Sequence, residues 1–358
     1  MNDRAWIATR KGLFELRLRN RAWQIERTSF LGEPVSMMLP PQADGTMIAA
    51  LNLGHFGVKV HASADAGQTW EEVATPAYPP QPEGAEGVPW KLVQIWSLAA
   101  DARGTLWAGT LPGGLFRSAD RGSSWQFVES LWSRPERAEW FGGGYDVPGI
   151  HSICTHPQRA GEVLVGISCG GAWITRDDGQ TWALSAKGMR AGFMPPERAD
   201  DENIQDPHYI VRCAAEPGVL WCQHHCGIWR STDGAANWQQ VEGAPVSSFG
   251  FAVAVHPQDG AMAWFIPALA DERRVPVDGA LVVNRTRDGG ASFETLRNGL
   301  PQTHCYDLVY RHGLAVANDG RTLMMGSTTG SLWASADAGD SWQAVSTSLP
   351  PIYAVRFG

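Results

Sequence analysis

Ten histidines occur in this 358-residue chain, and six of them stand where short apolar stretches begin or end. His151 closes Pro148-Gly149-Ile150-His151, His208 closes Gln205-Asp206-Pro207-His208, and His304 opens His304-Cys305-Tyr306. His224 and His225 are adjacent in Gln223-His224-His225-Cys226, and His55 lies in Gly54-His55-Phe56-Gly57. Three or more neutral imidazoles, joined by a carboxylate or an amide, can hold Zn²⁺, Mn²⁺ or Fe²⁺ with a position left open. The predicted metal ligands are therefore His151, His208, His224, His225 and His304. No HExxH or HxxxH spacing is present, so only the fold can bring these residues together. Two other readings stay open: a metal-free, histidine-rich catalytic pocket, and imidazoles that merely satisfy structural hydrogen bonds. Which of His224 and His225 faces the site is also open, because neighbours on a strand point oppositely.

Carboxylates and cations complete the candidate chemistry. Asp206, Asp307 and Glu272 are candidate acids or bases, with Arg274 and Tyr306 beside them, and Asp271 and Asp278 are close in sequence. Lys11, His55, Trp96, Trp140 and Gln223 are the candidate substrate contacts. The run Asp271-Glu272-Arg273-Arg274 reads either as a lid over the site or as a solvated loop. Its cations, with Arg10 and Lys11, would suit an anionic substrate.

The elements that position these residues must be short strands. Gly (40) and Pro (23) are abundant and Trp (17) far above average, which favours turns and aromatic packing over a helical bundle. Hydrophobic residues at 44% and charged residues at 18% support a packed core and exclude general disorder. A net charge of −8 disfavours nucleic acid or an anionic membrane as partner. Strand-like residues begin at the N-terminus without a signal-peptide pattern, and no segment reaches the ~20 apolar residues of a membrane helix. Six cysteines, none in a CxxC pair, fit a reduced, cytoplasmic protein without disulfides.

One pattern organises the whole chain. Ser/Thr-x-Asp-x-Gly-x-x-Trp/Phe recurs six times, with aspartates 65, 120, 177, 233, 288 and 337 at steps of 55, 57, 56, 55 and 49. The fourth copy departs, with Ala235 at the glycine position. Periods near fifty mark propellers or solenoids. Four strands fit around each copy; in one they are Val93–Ala100, Thr105–Thr110, Gly114–Ser118 and Trp125–Glu129. Further sets are predicted to start at Val35, Gly149, His208, Phe249 and Cys305. The first set has only three strands, Ala5–Thr9, Gly12–Leu18 and Trp23–Thr28, and segment 351–357 would supply the fourth. The prediction is an all-β, seven-bladed propeller of four-stranded blades, one domain over 1–358, closed by the C-terminal strand. Long connections at 75–91, 131–148, 186–207 and 267–279 would carry function.

The repeated turn, from Ser63-Ala64-Asp65-Ala66-Gly67 to Ser335 through Trp342, resembles the Asp box (BNR repeat) of the sialidase-like propeller superfamily. That resemblance implies the propeller fold and is weak for function, since one such fold hosts many activities. Each aspartate reads as a structural turn residue. A true sialidase also needs an Arg-Ile-Pro motif, an arginine triad and a Tyr/Glu pair, and these are not recognisable here. The segments Gly54-His55-Phe56-Gly57-Val58-Lys59, Phe141-Gly142-Gly143-Gly144, Gln205-Asp206-Pro207-His208 and Gln223-His224-His225 resemble cytoplasmic bacterial members labelled glycosyl hydrolase or sialidase-like.

Two functions are carried forward. One is a hydrolase or lyase acting on a small polar, sugar-like or anionic substrate, with a divalent transition metal and no nucleotide cofactor. The other is a non-catalytic ligand- or protein-binding propeller. Neither needs nucleic acid or a membrane, and the oligomeric state is left open.

Overall fold

The computed structural model describes residues 3–84 and 87–358; residues 1–2, and residues 85–86 of the predicted 75–91 connection, lie outside it. Among the described residues, twenty-eight strands form seven four-stranded antiparallel sheets, a β-propeller. The strands follow in chain order as β1 (Arg4–Thr9), β2 (Gly12–Arg19) and β3 (Ala22–Ser29), then β4 (Val35–Leu39), β5 (Met47–Asn52), β6 (Val58–Ser63) and β7 (Glu71–Val73). The next two blades are β8 (Gln94–Ala100), β9 (Leu106–Leu111), β10 (Leu115–Ser118) and β11 (Gln126–Phe127), and β12 (Ile150–Thr155), β13 (Val163–Ile167), β14 (Gly171–Thr175) and β15 (Ala183–Leu184). Then come β16 (Pro207–Arg212), β17 (Leu220–His224), β18 (Gly227–Ser231) and β19 (Gln239–Val241), followed by β20 (Gly250–Val255), β21 (Ala263–Pro267), β22 (Val283–Thr286) and β23 (Glu294–Leu296). The last are β24 (Leu314–Val316), β25 (Leu323–Gly326), β26 (Leu332–Ser335), β27 (Gln343–Ser346) and β28 (Ile352–Phe357). The two ends of the chain meet in one sheet, ordered β28-β1-β2-β3, where Ile7 pairs with Val355 and Ala5 with Phe357.

Contacts divide the chain into two compact units. One holds the chain up to Gly32, Lys187–Asp200 and His208–Gly358; the other holds Glu33–Ala186 and Asp201–Pro207. Within the first, β17 packs on β20, β20 on β24, and β24 on β28. Within the second, β8 packs on both β4 and β12. The cores are built from strand tryptophans: Trp221, Trp264 and Trp333 in one unit, Trp107 and Trp173 in the other. Burying such a ring removes 150–250 Å² from water on a rough scale, which is why indoles recur where neighbouring sheets meet.

The recurring turn has the same wiring each time. Ser63 donates to Asp65, the Gly67 N–H donates to Ser63 Oγ, and Asp65 Oδ1 accepts from the Thr69 N–H at 2.9 Å while Oδ2 takes the Thr69 hydroxyl at 2.7 Å. Asp120, Asp177, Asp288 and Asp337 repeat this arrangement, and Asp233 does so with the Asn237 side-chain amide in place of the hydroxyl. Hydrogen bonds to the charged form hold Asp65, Asp177 and Asp288 at pKa values of about 2. Two successive residues of each turn have positive φ, Ala66 and Gly67 in the first copy (56° and 82°) and Gly234 and Ala235 in the fourth (75° and 71°). The fourth copy has thus moved its glycine one position forward. The tight approach at the second position explains the usual glycine: a Cβ on Gly179 would meet Trp107 at 3.2 Å, and one on Gly290 would meet Val241 at 2.4 Å.

One strand assignment needs correction. The set expected to start at Cys305 begins at Leu314 instead, so residues 304–310 are not strand. Asp307 explains why: its carboxylate accepts from Ser327 Oγ at 2.7 Å and from the Thr329 hydroxyl, which ties this segment to a loop rather than to a ladder.

Candidate functional site

His208 is the second residue of β16, with its ring buried. Its Nδ1 lies 2.6 Å from the Gly250 carbonyl oxygen. A carbonyl can only accept, so Nδ1 carries the proton, and in the neutral ring the lone pair sits on Nε2. The ring stacks on Phe251 with centroids 4.5 Å apart and planes at 14°, and Phe249 meets it edge-on at 5.5 Å.

His225 comes from the two-residue turn that joins β17 to β18, and its ring stands 5.3 Å from that of His208 at 77°. Phe193 and Phe249 pack against it at 5.0 and 5.7 Å. Asp206, two residues before His208, completes the set. Among the described residues, Asp206, His208 and His225 form a group whose potential ligand atoms all lie within 4.8 Å of one another. Asp206 is buried, and its Oδ1 accepts the Cys169 N–H at 3.2 Å. Gly143 passes beside this carboxylate: an added Cβ would lie 3.2 Å from both oxygens, so glycine keeps that side open. Two imidazoles and one carboxylate suit Zn²⁺, Mn²⁺ or Fe²⁺, and an aromatic surround lowers the local dielectric.

The alternation left open at His224 and His225 is resolved by the hairpin. His224 is fully buried against Trp229 (4.7 Å), and its Nδ1 accepts the Cys226 N–H at 3.0 Å, which braces the turn that presents His225. His224 is thereby a hairpin residue. His151 is also fully buried, beside the Ser152 hydroxyl (3.0 Å) and the Trp96 ring (5.3 Å). His304 was expected to open a strand; it is exposed in the 304–310 loop segment, with φ at 52°.

The remaining predicted residues occupy varied places. Asp307 has its oxygens bound by Ser327, Thr329 and Cys305. Burial opposes its ionisation, but these hydrogen bonds outweigh it and lower its pKa. Burial raises the neighbouring Cys305 thiol to about 11. Tyr306 and Glu272 are exposed. Arg274 pairs with Asp271 at 2.5 Å and reaches the Tyr310 hydroxyl at 3.4 Å. Trp140 is a core residue, its indole N–H given to Asn203 at 2.9 Å and its ring packed on Trp173. Trp96 is buried between Tyr145 and His151. The Gln223 amide donates to the carbonyls of His224, Gly227 and Ser248 and so serves the hairpin. Lys11 is exposed at the turn between β1 and β2, and His55 is exposed in a 3-10 turn against Phe56.

Sequence reading missed Phe249, Phe251, Tyr310 and Arg311, which all surround or back the histidine pair. Phe251 stacks on the His208 ring and also has two guanidinium groups over it, Arg274 at 5.3 Å and Arg311 at 5.6 Å from its centroid. Tyr310 meets Phe251 edge-on at 4.8 Å. The signal lay in the segments Phe249-Gly250-Phe251 and Tyr310-Arg311, aromatic and cationic residues at strand entries.

No protein-family profile and no curated protein sequence matches the chain. Solved structures do. A GH74 xyloglucanase from Xanthomonas campestris matches with TM-score 0.64 at 20% identity, over 96% of this chain and 52% of that one. This chain therefore spans about half the length of that enzyme. A putative 6-phosphogluconolactonase from Bacteroides fragilis matches with TM-score 0.60 at 11% identity, over 99% and 97%. YCF48 from Cyanidioschyzon merolae matches with TM-score 0.57 at 12% identity, over 88% and 87%. At these identities the likeness is one of fold. Among the described residues, no helix is long and apolar enough to cross a membrane.

Proposed function

We propose that this chain is an enzyme, a hydrolase or lyase acting on a small polar, sugar-like or anionic molecule at the Asp206–His208–His225 cluster. The observation that carries this reading is the convergence of one carboxylate and two imidazoles within 4.8 Å. His208 Nε2, an imidazole nitrogen of His225 and a carboxylate oxygen of Asp206 would hold a divalent transition metal. When bound, such an ion supplies Lewis acidity toward a substrate oxygen or toward water. The protein's own part is orientation: Gly250 fixes the His208 tautomer, His224 braces the turn under His225, and Gly143 leaves room beside Asp206. Asp307, bound to its own hydroxyl partners, fits a structural role better than proton transfer. The recurring turns resemble the Asp boxes of sialidase-like propellers, and the GH74 xyloglucanase shares the fold, which suits a glycoside-directed chemistry. A cytoplasmic site of action and a small-molecule partner belong to the same proposal.

A non-catalytic binding propeller is the second reading. It is favoured by a structure of YCF48 bound to D1 peptide, which matches 87% of this chain and 80% of that one with TM-score 0.54 at 15% identity.

Elemental analysis of protein purified without a histidine tag separates the two. Near-stoichiometric Zn, Mn or Fe in the wild type, lost in folded His208→Ala/His225→Ala, is the expected result. A wild type that takes up none of the three on reconstitution would overturn the metal reading and send the work to peptide and ligand screening.

A further inference from the structure

The long connection between β15 and β16 contains a closed tip. The Ala191 N–H donates to the Ala199 carbonyl at 2.8 Å, so residues 191–199 leave and return at one point. Both alanines and Met189 are buried, whereas every residue from 192 to 198 is at least partly exposed. The approach to the tip is tied down as well: the Trp238 N–H donates to the Lys187 carbonyl at 2.8 Å, and the Trp229 indole N–H to that of Gly188 at 3.2 Å. Inside the tip, the Met194 N–H turns back to Ala191 and the Arg198 N–H to Pro195, while Pro195 and Pro196 fix two φ angles. The tip is a small Ω-like unit, stiff in itself and anchored at its feet.

This tip reaches the turn that carries His225. The Gly192 N–H donates to Cys226 Sγ at 3.2 Å, and the Phe193 ring meets the His225 ring edge-on at 5.0 Å and 71°. A thiol sulfur is a weak acceptor, and the Arg190–Asp200 pair beside the feet is exposed on both sides, where solvent screens it. His225 has three rings edge-on to it: Phe193, Phe249 and His208. His208 lies in β16 and Phe249 directly before β20, and both also meet Phe251. Phe193 rides on the tip and is 40% exposed. Two walls around His225 are therefore built on sheets, and the third on a loop with buried feet and an exposed end.

We infer that residues 191–199 are a lid hinged at Ala191 and Ala199, and that Phe193 is its gate. Closed, the Phe193 ring covers the solvent side of His225; open, it admits a metal ion or a small ligand. This rests on His225 belonging to the functional site. Lids of this kind keep bulk water from a bound molecule, and their opening sets the rates of entry and release. A metal-assisted reaction gains from one, because water competes with the substrate for an open coordination position.

Gly192 offers a lock for the test. An added Cβ there lies 3.7 Å from Cys226 Sγ, so Gly192→Cys can form a disulfide with Cys226 after a small shift. Full-length protein stripped with EDTA is treated with diethylpyrocarbonate, and acylation of His225 is followed by peptide mass spectrometry, with the exposed His55 as internal standard. Oxidised Gly192→Cys should be acylated at His225 about tenfold more slowly than the same protein reduced with a phosphine. Phe193→Ala should be acylated there about threefold or more faster than the wild type, with His55 unchanged. The rate of Zn²⁺ uptake should follow the same order. Equal His225 rates in the oxidised and reduced protein, or the wild-type rate in folded Phe193→Ala, would overturn the lid. If the disulfide does not form, Phe193→Ala decides alone. Failure of the metal reading is seen separately: protein that takes up no Zn²⁺ yet shows gated acylation keeps the lid and loses the metal centre. Protein that takes up Zn²⁺ with ungated acylation keeps the metal centre and loses the lid.

Discussion

The imidazole of His208 lies flat on Phe251 while its Nδ1–H is given to the carbonyl of Gly250, the residue immediately before that phenylalanine. One short segment of β20 therefore fixes both the plane and the tautomer of a ring carried by β16. A ligand imidazole commonly needs both forms of restraint, since the hydrogen bond on one nitrogen sets which nitrogen can coordinate.

The two adjacent histidines should separate cleanly on substitution. His224→Ala removes a fully buried ring and the acceptor for Cys226 N–H, and should cost about 2–4 kcal/mol. His225→Ala should change stability by less than about 1 kcal/mol yet abolish metal uptake. Urea denaturation beside elemental analysis checks both; metal retained by a folded His225→Ala protein would remove that residue from the ligand set.

Asp307 provides the opposite contrast. Asp307→Asn weakens the hydrogen bonds from Ser327 and Thr329 and should cost about 1–2 kcal/mol. Metal content should stay at the wild-type value. A loss of metal with unchanged melting temperature would return Asp307 to the site.

Acid sensitivity should come from the recurring turns. Asp65, Asp177 and Asp288 sit at about 2 in the folded protein, against roughly 3.9 for a free aspartate. A depressed folded pKa gives stability that is present above about 4 and is lost as pH falls through about 2. Asp177→Asn should lower the melting temperature at neutral pH and flatten its decline between pH 4 and 2. A variant whose melting curve keeps the wild-type slope in that window would show that the turn carboxylate is not linked to folding.

Ala235 offers a gain. It is a buried residue at φ 71°, where an L side chain costs about 1–2 kcal/mol, against about 0.5–1 kcal/mol for the added freedom of glycine in the unfolded chain. Ala235→Gly should raise stability by up to about 1.5 kcal/mol. Differential scanning calorimetry decides, and a fall in melting temperature would mean that packing of the methyl group outweighs the backbone strain.

The architecture was legible because its signal is local and repeated. The spacing of Asp65 through Asp337 and the turn chemistry around each of them place the strands, and even the pairing of 352–357 with the N-terminal strands could be read from a missing fourth strand. Cys305 misled because an apolar-looking run was not recognised as tied down by the Asp307 side chain, a contact made 20 and 22 residues away. The site was legible only in part. His208, His225 and Asp206 could be picked by residue type. His224 looked equivalent to His225, and what distinguishes them is a backbone N–H inside the hairpin, invisible to strand alternation. Trp140 looked available for ligand because its partner, Asn203, lies 63 residues away, and Gln223 because its amide turns back on carbonyls of its own hairpin and on that of Ser248.

The sheet shared by the two ends of the chain has a consequence for synthesis on the ribosome. β1, β2 and β3 emerge ahead of the other strands, and β1 presents one open row of N–H and C=O groups until Ile352–Phe357 has been made. Every other blade takes its strands from a single stretch of chain and can fill its ladders as it emerges. The blade that holds β1 must wait for Ile352–Phe357, so its exposed edge is the one that a nascent chain must keep from pairing with a neighbour on the same message.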